Sequence, residues 1–196
     1  GYIQLILENE KIKYTHSGVE ASSICINKLI SKKLFFKNKI LTPKYMILRG
    51  NLKKNFKNIY RTIKKKFKFP IVIKPINEGS SLGVYICKNK GKLKTNCKKL
   101  FKIYDKILVE QYIPGKEIQV AIMGNKALGA IELIPKREFY DYKAKYSSSA
   151  QTKHIMPASI SKKKYQEVLL LAKKAHKILG CKGISRSDFR FFENKF

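Results

Sequence analysis

No stretch of this chain approaches the roughly 18 consecutive apolar residues of a membrane-spanning helix, and no basic-then-apolar leader opens it. Its four cysteines, Cys25, Cys87, Cys97 and Cys181, form no C-x-x-C pair and sit in no His/Cys cluster. That spacing fits buried or free thiols in a reducing cytoplasm better than a disulfide framework or a zinc site. A Walker A loop is excluded because G-x-x-x-x-G-K-[ST] occurs nowhere. There is no internal repeat, low-complexity linker or recognisable nucleic-acid-binding motif. Acids are scarce too: 13 Asp and Glu stand against 43 Lys and Arg, a net charge of +30.

That excess invites a nucleic-acid reading. However, the lysines are spread along the whole chain and far outnumber the arginines, whose planar fork direct base readout prefers. An AT-rich genome writes Lys, Ile, Asn, Phe and Tyr onto any fold, so the charge reads as a solvated surface. Non-specific attraction to polyanions still follows from counterion release.

With 196 residues and 44% hydrophobic content there is enough material for a sizeable core. Ser17-Gly18 is a turn signal. From about Glu20 the residues Ala21, Ile24, Cys25, Leu29 and Ile30 recur at helical spacing. Leu52, Phe56, Ile59, Tyr60, Ile63 and Phe67 predict a second amphipathic helix with a lysine-rich outer face. Short β-branched runs follow at 71–73, 84–86 and 107–109, with a lysine-rich helix expected around Cys97–Tyr104. Past the Pro114-Gly115 turn, Ile118, Val120 and Ile122 alternate as in a half-buried antiparallel strand, and Asn125-Lys126 leads into another ending near Ile134. Ser161 reads as the N-cap of a helix closed by Gly180. This order predicts an α+β arrangement with mixed sheets. The first residue is Gly1 and the last ones read as strand, turn and strand, so both ends look cut and the chain reads as a fragment.

Four segments carry candidate chemistry. Residues 71–84 read as a strand, a glycine/serine loop and a second strand. There Lys74 could meet a phosphate and the loop could form an anion-binding nest, or the whole could be an ordinary hairpin. Glu110 to Ile113 could present free backbone groups to an adenine edge, and Glu117 could bind a ribose hydroxyl pair or be a surface acid. In 183–191 strand period places Arg186, Asp188 and Arg190 on one face. They make either a Mg²⁺ carboxylate beside an anion-stabilising arginine or a surface ion-pair ladder. Residues 137–154 are aromatic, basic and aperiodic, as functional loops are.

In this order and spacing the segments resemble the ATP-grasp fold, and specifically the D-alanine–D-alanine ligase family, over essentially the whole chain. The matching pieces are Tyr14 to Val19 with Ala21-Ser22 and Asn27-Lys28; Ile73-Lys74-Pro75 with Glu78 to Gly83; Glu110 to Glu117; Tyr140 to Tyr146; and Leu179 to Gly183 with Ser185 to Asp188. The resemblance implies two α+β lobes holding ATP between them. These would be a central lobe over 28–113 and a truncated C-terminal lobe over 114–196, preceded by a remnant of an N-terminal α/β domain over 1–27.

By the same resemblance Lys28, Lys74 and Lys145 contact phosphates, and Glu78, Ser80 and Ser81 belong to a loop over them. Glu110, Gln111, Tyr112 and Ile113 hold adenine, and Glu117 the ribose. Arg186 stabilises the oxyanion and Asp188 binds Mg²⁺ or Mn²⁺. Tyr146, linked to Ser80, orders a lid over two D-alanine molecules and favours an amine as the second nucleophile. The reaction implied is ligation through an acyl phosphate for peptidoglycan synthesis, in a cytoplasmic protein that is a homodimer with no specific nucleic acid and no membrane partner.

Two departures stand out. The family's Glu-x-Asn metal ligands are not matched by Glu193-Asn194, which falls at a turn, and most of the N-terminal domain has no counterpart. The 196-residue chain is therefore expected to have little or no ligase activity by itself. Alternatives are another ATP-grasp carboxylate–amine ligase, such as a D-alanine–D-lactate enzyme, and more remotely a basic nucleic-acid-binding protein.

Overall fold

The computed structural model describes residues 1–50, 52–135 and 152–196, with only the backbone of 52–55. The elements in chain order are α1 (Tyr2–Asn9), α2 (Val19–Ile26), α3 (Lys28–Lys37), β1 (Tyr45–Arg49), α4 (Leu52–Lys66), β2 (Ile71–Pro75), β3 (Tyr85–Cys87), α5 (Lys90–Leu100), β4 (Lys106–Gln111), β5 (Lys116–Met123), β6 (Lys126–Ile134), β7 (Lys153–Ile155), α6 (Lys162–Ile178) and β8 (Ile184–Phe191). They form two compact units. One joins Gly1–Thr42 to Pro114–Phe196, and the other is Pro43–Ile113.

Within Pro43–Ile113 the succession is β-α-β-β-α-β and the sheet order is β1-β4-β2-β3. Every pairing is antiparallel. The mixed sheets expected from helices lying between strands are therefore not found among the described residues, whose second sheet is antiparallel as well. Each helix does join two strands of the same direction, but a third strand lies between them: β4 separates β1 from β2, and β2 separates β3 from β4. Ile71 and Ile73 of β2 alternate with Val72 and Lys74, and the first pair enters a core with Ile63, Leu93, Ile107 and Val109. Each such side chain removed from water stabilises the unit by roughly 1.5–3 kcal/mol.

The lysine-rich helix lies earlier than expected, at Lys90–Leu100, because the Asn89 side chain accepts the Lys92 N–H at 2.9 Å and fixes the start. The chain enters and leaves this unit side by side. Tyr45 pairs with Glu110, and the Gln111 N–H donates to the Lys44 carbonyl at 2.9 Å.

The other unit carries an antiparallel sheet of order β7-β6-β5-β8, with α6 packed on one face. Ile118, Val120 and Ile122 of β5 meet Val168 and Ala172 of α6 in its core. Helix α6 begins where Ser161 accepts the Lys164 N–H and ends at Gly180, whose φ of +68° suits glycine. The single helix expected from Glu20 onward is two. Asn27 leaves helical geometry at φ −87°, ψ 97°, and its side chain accepts the N–H groups of Leu29 and Ile30, so one residue ends α2 and caps α3. Glu193 and Asn194 have φ of 47° and 58° in a tight turn between Phe192 and Lys195. Among the described residues no helix is long and apolar enough to cross a membrane.

Candidate active site

In Pro43–Ile113 the antiparallel register puts Val72 opposite Glu110 and Lys74 opposite Leu108, so Lys74 and Glu110 are diagonal neighbours on the sheet face away from the helices. Their side chains make an ion pair at 2.5 Å, with Glu110 only 4% exposed. An ammonium held this way is a fixed point of positive charge at the end of β2. Beyond β2 the chain turns through Gly79–Gly83, where Ser80 (φ 48°) and Ser81 (φ 61°) both occupy the left-handed region. Two non-glycine residues there in succession mark stored backbone strain, a feature that gathers at ligand clamps. Gly83 cannot be replaced freely, because its φ is +68° and a Cβ would stand 2.8 Å from Pro75. Glu78 accepts a hydrogen bond from the Tyr104 hydroxyl at 3.0 Å, which orients the start of this turn. Gln111 closes β4, and Tyr112 and Ile113 follow it half-buried.

In the unit formed by Gly1–Thr42 and Pro114–Phe196, β5 and β8 bring a second set together. Glu117 lies opposite Arg190, Gln119 opposite Asp188 and Ala121 opposite Arg186, all on the face away from α6. Arg190 donates to Glu117 at 3.4 Å and to the Gly115 carbonyl at 2.8 Å, so Glu117 is a held carboxylate rather than a loose surface acid. Arg186 forms a two-pronged pair with Asp188: Nε donates to Oδ1 at 2.9 Å and Nη2 to Oδ2 at 3.3 Å. Such a fork fixes both planes. Lys28 sits in the first turn of α3, directly after the Asn27 cap. Ser80, Ser81, Glu110, Glu117 and Arg186 thus fall in two clusters, one in each unit. Lys145 and Tyr146, with the whole 140–146 segment, lie outside the described residues.

Asp188 alone supplies one carboxylate for a divalent cation, and among the described residues no three His, Cys, Asp or Glu gather as a metal cluster. One carboxylate is nevertheless compatible with Mg²⁺ or Mn²⁺, because such ions bind through one or two carboxylates together with substrate phosphate oxygens.

Three supporting residues went unassigned in the sequence. Strand period puts Arg190 on this face without a role, and the β5–β8 register supplies one by setting it opposite Glu117. Tyr104 orients Glu78 across 26 positions, a distance no local pattern reveals. Gln119 is 6% exposed, and its Nε2 has no hydrogen-bond partner among the described residues, directly opposite Asp188. An unsatisfied buried amide is costly, and the strand alternation that marks Gln119 as facing away from the core was the signal.

Also in this unit, a cavity of about 230 Å³ is lined by His16, Ser17, Cys25, His176, Cys181 and Arg186 among others. His176 is buried beside the Ser185 hydroxyl at 2.6 Å, and burial pushes its pKa down from 6.5.

The family described as D-ala D-ala ligase C-terminus matches residues 34–195. The chain is 61% identical, over all its 196 residues, to the D-alanine–D-alanine ligase of Pelagibacter ubique strain HTCC1062, covering 63% of that protein. Among solved structures it is similar to the D-alanine–D-alanine ligase of Bacillus anthracis (TM-score 0.81, 31% identity, covering all of this chain and 62% of that one). The same enzyme complexed with ATP matches at TM-score 0.78 and 26% identity, over 99% of this chain and 60% of that one. VanG D-Ala:D-Ser ligase from Enterococcus faecalis matches at TM-score 0.83 and 26% identity, over 100% and 57%. The chain therefore spans about three fifths of the length of the relatives it matches.

Proposed function

The chain belongs to the D-alanine–D-alanine ligase family and has its ATP-grasp fold, and from that premise we propose that it forms the nucleotide-binding and catalytic part of an enzyme that joins two D-alanine molecules at the expense of ATP. One observation carries the reading. An oxyanion-type donor, a metal-type carboxylate and a held ribose-type carboxylate, Arg186, Asp188 and Glu117, share one face of one sheet.

In this reading Lys74, kept in place by Glu110, neutralises ATP phosphate, and the strained Glu78–Gly83 turn closes on the same group. Glu110 and the backbone from Gln111 to Ile113 read adenine. Glu117, steadied by Arg190, takes the ribose hydroxyls, and Lys28 adds a second phosphate contact. Asp188, together with the phosphate oxygens, would hold Mg²⁺ or Mn²⁺, which would supply the remaining neutralisation. The γ-phosphoryl group passes to the carboxylate of the first D-alanine. The amine of the second then attacks that carbonyl, its oxyanion is stabilised by Arg186, and phosphate leaves. Such a donor is worth about 3 kcal/mol. Lys145 and Tyr146 complete the proposal from the lid, excluding water that would hydrolyse the acyl phosphate.

A cytoplasmic setting, a homodimeric parent protein and the division at 27/28 and 113/114 belong to the same reading. The D-Ala:D-Ser relationship of VanG makes the second substrate the open choice within it, and the test addresses that directly. Full-length protein is given ATP, Mg²⁺ and D-alanine with equal D-serine or D-lactate at neutral pH. Phosphate release and products are followed by mass spectrometry. D-alanyl-D-alanine as the main product is expected. A predominant D-alanyl-D-serine or depsipeptide, or phosphate release that ignores D-alanine, overturns it.

A further inference from the structure

Cys25 and Cys181 lie 156 positions apart in sequence, yet their sulfurs are 3.7 Å from each other. We propose that they are an oxidation site, a dithiol that hydroperoxides close to a reversible disulfide joining the end of α2 to the loop before β8. This reading is independent of which substrates the enzyme ligates.

The contact is built on both sides. The Ser17 hydroxyl donates to the Lys182 carbonyl and accepts the Lys182 N–H, each at 3.1 Å, which clasps the loop beside Cys181 to the segment leading into α2. One residue further, Gly183 approaches so closely that a Cβ there would stand 1.9 Å from the Thr15 carbonyl oxygen. The Cys181 N–H itself donates to the His176 carbonyl at 3.0 Å. The two sulfurs are thus neighbours by architecture, and a bond of about 2.05 Å asks them to move together by roughly 1.6 Å.

Their environments differ as an attacking and a resolving thiol require. Cys25 is exposed at the last turn of α2, while Cys181 is half-buried and follows the glycine that ends α6. Hydrogen bonding from Cys25, and secondarily from Ser17, holds Cys181 down at about 6 against the upward push of burial, and Cys25 is pushed up in return. The pair therefore carries a thiolate near neutral pH, which we place on Cys181. It attacks one peroxide oxygen and breaks the O–O bond; hydroxide leaves and takes a proton as water. The sulfenic acid so formed is attacked by the Cys25 sulfur: the S–S bond forms, the S–O bond breaks, and a second water leaves with the Cys25 proton. Two thiols are oxidised and one peroxide is reduced. Both cysteines line the cavity that Arg186 also lines, so the cross-link alters a wall of that cavity. Cys87 and Cys97 are fully buried, and burial pushes both pKa values up, which makes them internal controls.

The test treats the reduced full-length protein with hydrogen peroxide at pH 7, alkylates free thiols, and maps non-reduced peptides by mass spectrometry. A linked Cys25–Cys181 peptide that dithiothreitol dissolves is expected, with Cys87 and Cys97 alkylated only after unfolding. In Cys25→Ser, Cys181 is expected as a sulfenic acid captured by dimedone, without a cross-link. In Cys181→Ser, Cys25 is expected to react several-fold more slowly. The proposal is overturned if Cys181 proceeds to sulfinic acid while Cys25 stays alkylatable, if neither residue reacts, or if the link forms only in denaturant.

Discussion

Arg186 concentrates the most chemistry in one side chain. Its guanidinium spans both Asp188 oxygens in a planar fork, a geometry that lysine cannot reproduce. Arg186→Lys keeps the charge and loses the fork. On the proposed reading, the full-length protein with this change should show a kcat lowered about 100-fold and a KM for ATP within a few-fold, since the residue is read as serving the oxyanion and not the nucleotide. A steady-state kinetic comparison checks this, and an unchanged kcat would remove Arg186 from the chemistry. Earlier in the chain, on α6, His176 gives a pH signature. Burial holds its pKa below 6.5 in the folded chain, so the unfolded chain takes up the proton first as pH falls. The contribution of this ring to stability is complete above 6.5 and is lost as pH drops from there toward the lowered folded value. Urea midpoints measured at about pH 7.5 and about pH 5.5 should fall for the native chain and fall less for His176→Gln. An equal drop in both would show that other groups set the dependence.

Among the elements, the two glycines around Cys181 separate backbone strain from steric fit. Gly180 has φ +68° with open space where a Cβ would stand, whereas Gly183 has φ +62° and a Cβ blocked at 1.9 Å. Gly180→Ala should therefore cost about 1–2 kcal/mol from backbone conformation alone. Gly183→Ala should cost clearly more, because the Ser17 clasp must open as well. Denaturant titration of both variants distinguishes the two, and equal losses would mean that the close approach is relaxed at little cost.

Elements with a strong local signal were legible in the sequence. The stripe from Leu52 to Phe67, the alternation around Val120, and the Ser161 and Gly180 caps all gave the right element in the right place. Elements whose identity depends on distant partners were not. Tyr45–Arg49 carries no alternation of its own and becomes a strand by pairing with β4. The break at Asn27 was hidden because the apolar spacing continues across it, though its side chain is a strong cap. Helices between strands suggested parallel neighbours, but local sequence cannot say that a third strand will be inserted between them. The same division runs through the site: Lys74, Glu117, Arg186 and Asp188 stand in recognisable motifs, whereas Arg190, Tyr104 and Gln119 acquire their places only through register and long-range contact.

For the whole molecule, the charge of +30 colours the surface without dictating the architecture, since the cores of both units are built of ordinary aliphatic side chains. Chain order has the larger effect. Pro43–Ile113 interrupts the other unit, whose two parts lie on either side of it in sequence. Its two ends are stitched by the Lys44–Gln111 hydrogen bond and the Tyr45–Glu110 pairing. Seen as a folding problem, this stitch sets an order of events. If the inserted unit is still unfolded, Gly1–Thr42 must close a loop of about seventy residues before its helices can dock on Pro114–Phe196. If the insert has folded, the same closure spans only a few residues, a saving of about 2–3 kcal/mol in loop entropy. Pulsed hydrogen exchange during refolding should then protect amides of β2 and β4 before the Lys182 amide that Ser17 accepts across the insert, and the reverse order would mean that Gly1–Thr42 docks across an open chain. The stitch at Lys44 and Gln111 thus acts in time as well as in space: it lets the interrupted half of the protein fold as though the interruption were short.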